Sequence, residues 1–573
     1  MKRLLLLLSA FAAAIVLHAV PVSEQRAREV VLAFMPGDAD WERLSEAPEG
    51  LHIFNRKGGG FIIISADDCA LPVLAYSYGG RFTLRDAPDN LRAWADATSR
   101  VIRQVVSAGK TPDSRLLAVW DAPSVLSRAG AGTHLINTAT WGQGSPFNYY
   151  TPTVDGEKSI AGCVAVSMAI IMRHYGWPKA GSGILPAYTY MTAKGNTRTQ
   201  SGHALGDNYN WSDMPLNHVP EDNRSVAKLV YDCGVAVQSS FNAGGTSAFP
   251  SDAPGMMAAY FSYSLAGLME QRAYYSTAAW FDRLKAEIDA DHPVLYSAYS
   301  SNNGHAFVVD GYDDSSRLHV NWGWKGECNG YFSVDCFFPY SGDPSKEAEY
   351  GYYYQHAAAF NLVPDKNGSS RPRTLLCLRR SGDYEGMRLS SGSIGKGTPF
   401  TLDFGLCTNR GLTDYQDGAL RIGLVDRTGT LREFVGDPLG IMTLEPNYGT
   451  IVQDYTCRIT LEPALGDVLR VFYRVGQEWL PMSYSLDDGT VGFLSAGPDV
   501  YFISEEAQYI EGQRWQPEVV YGQRPYLKLQ WYLDGVPFEQ ETPALTSGRH
   551  TVKAVLTYAD GSKETIVREL EVR

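Results

Sequence analysis

Cys163 is the residue of this sequence best placed to act as a nucleophile. Gly162-Cys163-Val164-Ala165 opens a segment predicted to be helical to about Tyr175, with Val164, Met168, Ile171 and Tyr175 on one apolar face and Gly176-Trp177-Pro178 as its stop. A thiol in the first turn of a helix faces unpaired N–H groups and the positive end of the dipole, which favour the reactive thiolate. A lone cysteine is more often a buried structural residue, so a partner must be found. His305 offers one: it begins a predicted strand, Gly304-His305-Ala306-Phe307-Val308-Val309-Asp310-Gly311, from which a ring can project into a cleft. A lone histidine, too, is more often structural than catalytic, and His174, His203, His218, His292 and His319 have no comparable setting and receive no role.

A Cys–His pair needs a third group to orient the imidazole. In His319-Val320-Asn321-Trp322-Gly323-Trp324, Asn321 can accept a hydrogen bond from the ring, and a neighbouring indole can shield that bond from water. The bland alternative is a strand with aromatic packing. Upstream, Thr140-Trp141-Gly142-Gln143-Gly144-Ser145 puts Gln143 on a Gly-rich loop, where its amide and the Cys163 N–H could form an oxyanion hole. Papain-type hydrolases place His and Asn about 130–150 residues beyond the Cys; His305 lies 142 residues after Cys163, and Asn321 follows 16 residues later.

These residues must be positioned by something, and the chain has 573 residues to do it. The fold class read from the sequence is α+β. Lys2 and Arg3 before the apolar run Leu4–Leu17, then His18-Ala19, predict a signal peptide over 1–19 and an exported protein. Residues 20–130 read as a small α+β unit: strands Leu51–Asn55 and Phe61–Ser65 around Gly58-Gly59-Gly60, then a helix over Asp89–Val106. Phe61-Ile62-Ile63-Ile64 lacks alternation, which predicts a strand buried on both faces. Ser127–Thr133, small and flexible, reads as a linker open to proteolysis. Residues 131–364 carry the chemistry. Beyond 365 the texture turns to short alternating runs such as Leu420–Val425, predicting two β-sandwich modules, 365–485 and 486–573, with His550–Arg573 as the closing hairpin of an immunoglobulin-like module.

Composition excludes several functions. A net charge of -13 without a Lys/Arg block argues against nucleic acid as a partner. No internal apolar run approaches the roughly 20 residues of a membrane span. Eight cysteines are too sparse for a disulfide scaffold, and pairing of Cys328 with Cys336 or Cys407 with Cys457 stays open. There is no C-x-x-C or His-Glu-x-x-His, so no metal or other cofactor is expected. Gly109-Lys110-Thr111 lacks the first glycine of a phosphate-binding loop.

Order, spacing and local structure together resemble the streptopain-type cysteine peptidases, a papain-like family that includes the streptococcal pyrogenic exotoxin B protease and the interpains. The matching stretches are Trp141–Asn148, Gly162–Pro178, Pro293–Ser297, Gly304–Asp310 and His319–Gly326, with Gly-His-Ala-Phe-Val and Asn-Trp-Gly-Trp the most specific. The resemblance implies Cys163 as nucleophile, His305 as general base and acid, Asn321 as orienter and Gln143 as oxyanion donor, with Trp322 and Trp324 as an aromatic wall and Gly304 beside the substrate. It implies an inhibitory propeptide, since Gly59-Gly60-Phe61, Ser65-Ala66-Asp67-Asp68 and Pro72–Ser77 follow the family's pattern. It further implies protein or peptide substrates, with an apolar side chain next to the scissile position. The alternatives are another Cys–His hydrolase or acyltransferase, such as a wall-peptide amidase or transglutaminase, and a non-enzymatic adhesin or inhibitor.

Overall fold

A computed structural model describes the chain apart from residues 1–19, 38–39, 85–88, 108–113, 123–132, 273–274, 276, 300–303, 315, 334–355, 380–386, 393–394, 427–429, 442, 464–466, 485–493, 496–499, 503–510, 512–513, 515–516, 518, 522–525, 539–541, 559–562 and 573. The expected signal peptide, nearly all of the linker Ser127–Thr133 and Cys336 therefore lie outside the described residues.

The spine of the N-terminal part is one eleven-stranded sheet. Its first four strands are β1 (Trp41–Arg43), β2 (Leu51–Arg56), β3 (Phe61–Ser65) and β4 (Val73–Ser77). After the short β5 (His134–Leu135) come β6 (Leu268–Gln271), β7 (Val294–Tyr299), β8 (Gly304–Tyr312), β9 (Leu318–Asn321), β10 (Gly330–Phe332) and β11 (Ala357–Phe360). The order across the sheet is β1-β2-β3-β4-β10-β9-β8-β7-β11-β6, with β5 on β8. The join between the N-terminal unit and the rest is β4 on β10, antiparallel, with Tyr331 opposite Tyr76 and Phe332 opposite Ala75.

The turn between β2 and β3 works because Gly60 sits at φ +111, and a Cβ there would lie 2.9 Å from the Ser77 carbonyl oxygen. Every residue of β3 is buried, as its unbroken apolar run predicts. Helices α1 (Glu24–Phe34) and α3 (Ser114–Asp121) cover one face of this part of the sheet, where Val30, Val31, Phe34 and Trp120 pack on Phe54, Ile62 and Ile64. Helix α2 (Asp89–Ser107) covers the other with Leu91, Trp94, Ala95 and Ile102.

Strand β8 separates two cores. Ala306 and Val308 point to helices α4 (Cys163–Tyr175), α5 (Arg224–Ala236) and α6 (Ala253–Phe261), while Phe307 and Val309 join the core under α7 (Thr277–Asp289). This is the two-fold alternation of a strand buried on both faces. Asp365–Ser370 stays with this first unit: Asp365 N–H donates to the Ser262 carbonyl and Leu265 N–H to Ser370 Oγ. The first unit accordingly ends at Arg371 and a second runs over Pro372–Arg573.

The second unit is built of strands. Gly418–Val425 and Val468–Val475 pair antiparallel in a six-stranded sheet, burying Leu420, Ile422, Leu424, Leu469 and Val471. Near the end, Gly548–Tyr558 and Lys563–Val572 form an antiparallel hairpin in a four-stranded sheet. The Cys407 and Cys457 thiols are free, as is that of Cys328.

Candidate active site

Helix α4 starts where the sequence predicts, and Gly162 explains why. It holds φ +94, and a Cβ there would meet Thr246 Cγ2 at 2.8 Å. Val164 to Met172 are all buried, so the helix is a core element with only its ends near solvent. Gly176 closes it in the left-handed conformation, its N–H donating to Arg173 and Met172 carbonyls. Cys163 thus stands in the first turn, partly exposed on the floor of a cleft that Gly304 and His305 also line.

The Ala306 N–H donates to Cys163 Sγ at 3.5 Å, stitching helix α4 to strand β8. Burial pushes the thiol pKa up, and the amides of Ala306, Val164 and Cys163 pull it only part of the way back. The helix-terminal effect expected from the sequence is present, but desolvation outweighs it in this arrangement.

His305 is half-buried, its ring stacked over Phe307 with centroids 6.3 Å apart. Its Nε2 lies 3.4 Å from the Trp322 carbonyl oxygen. Asn321, one residue earlier, is 1% exposed and turns elsewhere: its Nδ2 donates to Thr138 Oγ1 and the Ala139 carbonyl, both at 2.9 Å, and its Oδ1 accepts from Gly323 N–H at 3.2 Å. Thr138 donates in turn to Asp310, which pairs with His319 Nδ1. Asn321 is therefore the knot between strand β9, the turn after it and the segment leading to Gln143.

Gln143 is buried, and its carbonyl accepts from Ala161 N–H at 2.9 Å, which ties its loop to the residue two before Cys163. Trp141 anchors the loop further, with Nε1 donating to Pro215 and its carbonyl accepting from Lys325 N–H. Trp322 is buried behind His305, against Phe307 and Phe332, with Nε1 donating to the Cys328 carbonyl. Trp324 is half-buried, and neither indole lines the cleft. Among the described residues no group of three or more His, Cys, Asp or Glu is arranged to hold a metal ion.

Residues 141–332 match the family model described as the Peptidase C10 family. Residues 19–102 match a second family model, the Spi protease inhibitor. The chain is 32% identical over 308 residues to the thiol protease/hemagglutinin PrtT of Porphyromonas gingivalis, covering 52% of this chain and 35% of that protein. It thus spans about a third of that relative's length. It is 26% identical over 308 residues to streptopain of Streptococcus pyogenes, covering 50% of this chain and 75% of streptopain. Among solved structures, a prointerpain A fragment of Prevotella intermedia is 26% identical, covers 57% of this chain and 99% of its own, and has a TM-score of 0.45.

Within the C10 stretch, Cys163, His305, Gly304 and the Gln143 loop are brought together, while Asn321 and the two tryptophans support them from behind. Sequence reasoning missed Thr138, Asp310 and the Trp322 carbonyl. The Asp310–His319 pair had a local signal, since an acid and a histidine on neighbouring strands can face each other. A backbone carbonyl has none.

Proposed function

We propose that this chain is a cysteine endopeptidase made as a latent zymogen and exported by a signal peptide over 1–19. The observation that carries the reading is Cys163 in the first turn of α4, stitched to strand β8 beside His305 on the floor of an open cleft. The Cys163 thiolate attacks a peptide carbonyl carbon: the C–S bond forms and the carbonyl π pair moves onto oxygen. The Cys163 N–H and the Gln143 amide hold that oxyanion. His305 gives its proton to the leaving nitrogen as the C–N bond breaks. Water then attacks the acyl carbon, His305 takes its proton, and the C–S bond breaks to restore the thiolate.

In this reading the Trp322 carbonyl orients the protonated imidazole, and Asn321 fixes the turn that carries Trp322. Residues 20–130 are the propeptide, an intramolecular inhibitor, and 131–364 the catalytic domain. The high thiol pKa in the full chain supports latency, since the neutral thiol is a poor nucleophile. The second unit, from Pro372, holds two β-sandwich modules divided near 485, the second immunoglobulin-like, with a ligand of their own. The substrates are proteins or peptides.

An amidase or transglutaminase chemistry usually orients its histidine with an acid. The carboxylate nearest in this network, Asp310, pairs with His319 instead. Labelling with an epoxide inhibitor of papain-like peptidases tests the reading. Modification of Cys163 in the activated protein is the expected outcome. Absence of labelling after removal of the propeptide would leave the non-enzymatic adhesin in its place.

A further inference from the structure

The cleft beside Cys163 encloses about 400 Å³. Val164, Val237, Ala248, Phe249 and Pro250 give it apolar walls, and Asp252 is the one carboxylate among them. Among the described residues no lysine or arginine lines it. Asp252 precedes helix α6 but does not cap it with its side chain. Its described partner is the Ser251 hydroxyl, at a long 3.4 Å. Crowding by the walls raises its carboxyl pKa despite that contact, and no cation offsets the effect. Phe249 stands on the same cleft with 72% of its surface exposed, so its ring face is open to a ligand there. A hydrophobic passage with an exposed ring and an unpaired carboxylate matches a side chain with an aliphatic stem and a cationic head.

We propose that Asp252 is a specificity-determining residue of this cleft, selecting substrates that place a lysine or arginine side chain in it. The inference rests on the peptidase reading above and departs from the wholly apolar pocket that family resemblance implies. The stem lies on the apolar walls, an arginine head can stack on Phe249, and the charge meets Asp252.

The test uses the full chain after activation. Peptides differ only in carrying Lys, Arg, Gln, Leu or Glu at each of three positions on the acyl side of the scissile bond. At one position kcat/KM should be roughly fivefold higher for Lys or Arg than for Gln, a modest ratio because Asp252 is partly solvated. Asp252→Asn should bring that ratio to about one, and Asp252→Lys should turn the preference toward Glu. No basic preference at any position, or one that survives in Asp252→Asn, overturns the proposal. If no peptide is turned over at all, the peptidase reading falls instead. Binding of the same peptides to full-chain Cys163→Ala, followed by fluorescence anisotropy, then decides Asp252 alone, since no described residue of 20–121 lines the cleft. A Lys peptide held no tighter than its Gln counterpart overturns the assignment.

Discussion

The Trp322 carbonyl oxygen faces His305 Nε2 at 3.4 Å, while the side chain of Asn321, its chain neighbour, is committed to Thr138, Ala139 and Gly323. The group beside the imidazole is thus a backbone atom, and the asparagine next to it holds that backbone in place. His305→Ala should abolish peptide turnover, because the proton carrier is gone. Asn321→Ala should retain activity reduced about tenfold or more and lose roughly 1–3 kcal/mol of stability, the cost of leaving buried partners unpaired. Steady-state rates and thermal melts on both variants check this. Equal rates in His305→Ala and the parent protein would remove the mechanism.

Thiol chemistry gives a pH prediction. Burial raises the Cys163 pKa in the full chain. The unfolded thiol, at about 8.5, loses its proton first as pH rises. Folding therefore opposes ionisation, and this group's contribution to stability is present below about pH 8.5 and declines above it. Iodoacetamide should alkylate Cys163 slowly at pH 7, with a rate that keeps climbing beyond pH 9. Removal of the propeptide should raise the rate at pH 7. A fast, pH-independent reaction in the full chain would contradict the buried neutral thiol.

The junction of the N-terminal unit is polar as well as apolar. Arg317 Nε and Asp313 Oδ2 form a buried pair at 2.8 Å; Arg317 Nη1 reaches the Val73 carbonyl and Tyr76 Oη donates to Asp313. Asp313→Ala leaves a buried guanidinium without its counter-ion and should cost about 3–5 kcal/mol. Tyr76→Phe removes one hydrogen bond and should cost about 1 kcal/mol. Melts of the full chain should rank the two in that order, and limited proteolysis should release residues 20–121 sooner in both.

His52 is buried and its Nε2 lies 2.7 Å from the Val22 carbonyl. Burial lowers its pKa, with the Val22 contact opposing. The unfolded histidine, near 6.5, then takes up a proton first as pH falls. Its contribution favours folding above that pH and turns against it below. Hydrogen exchange of the Leu51–Arg56 amides should accelerate between pH 7.5 and 5.5 beyond the intrinsic change, and His52→Gln should flatten the difference.

Every proposed catalytic group lies before Arg371. A chain ended there should still cleave a small peptide after activation. A truncated protein that folds by circular dichroism yet shows no turnover would tie the second unit to the chemistry.

Local signals made much of this readable. Gly162 and the apolar face of Val164, Met168 and Ile171 announce α4, and the run after Gly304 announces a strand buried on both sides. The helix over Asp89–Ser107 and the turn at Gly58-Gly59-Gly60 were equally plain. What escaped depends on register between distant segments. Nothing near Asn321 in sequence says that Thr138 and Ala139 will be its partners. Asp252 looks like an ordinary helix-start acid until the fold sets it on the rim of the cleft beside Cys163. The Cys163 pKa is the clearest instance: a helix start predicts a lowered value, and only packed neighbours reveal the desolvation that raises it.

Because β4 continues the sheet through β10, cutting the chain between residues 121 and 133 would not by itself open the proposed active site. The severed piece keeps its row of main-chain hydrogen bonds and the stack of Tyr76 on Tyr331, 5.0 Å between ring centroids. On the zymogen reading activation would then be two events, a cut and a later peeling, and the second would have its own clock. Once peeled, β10 is a bare border with open amides and carbonyls, able to welcome any extended chain and to glue one molecule to the next.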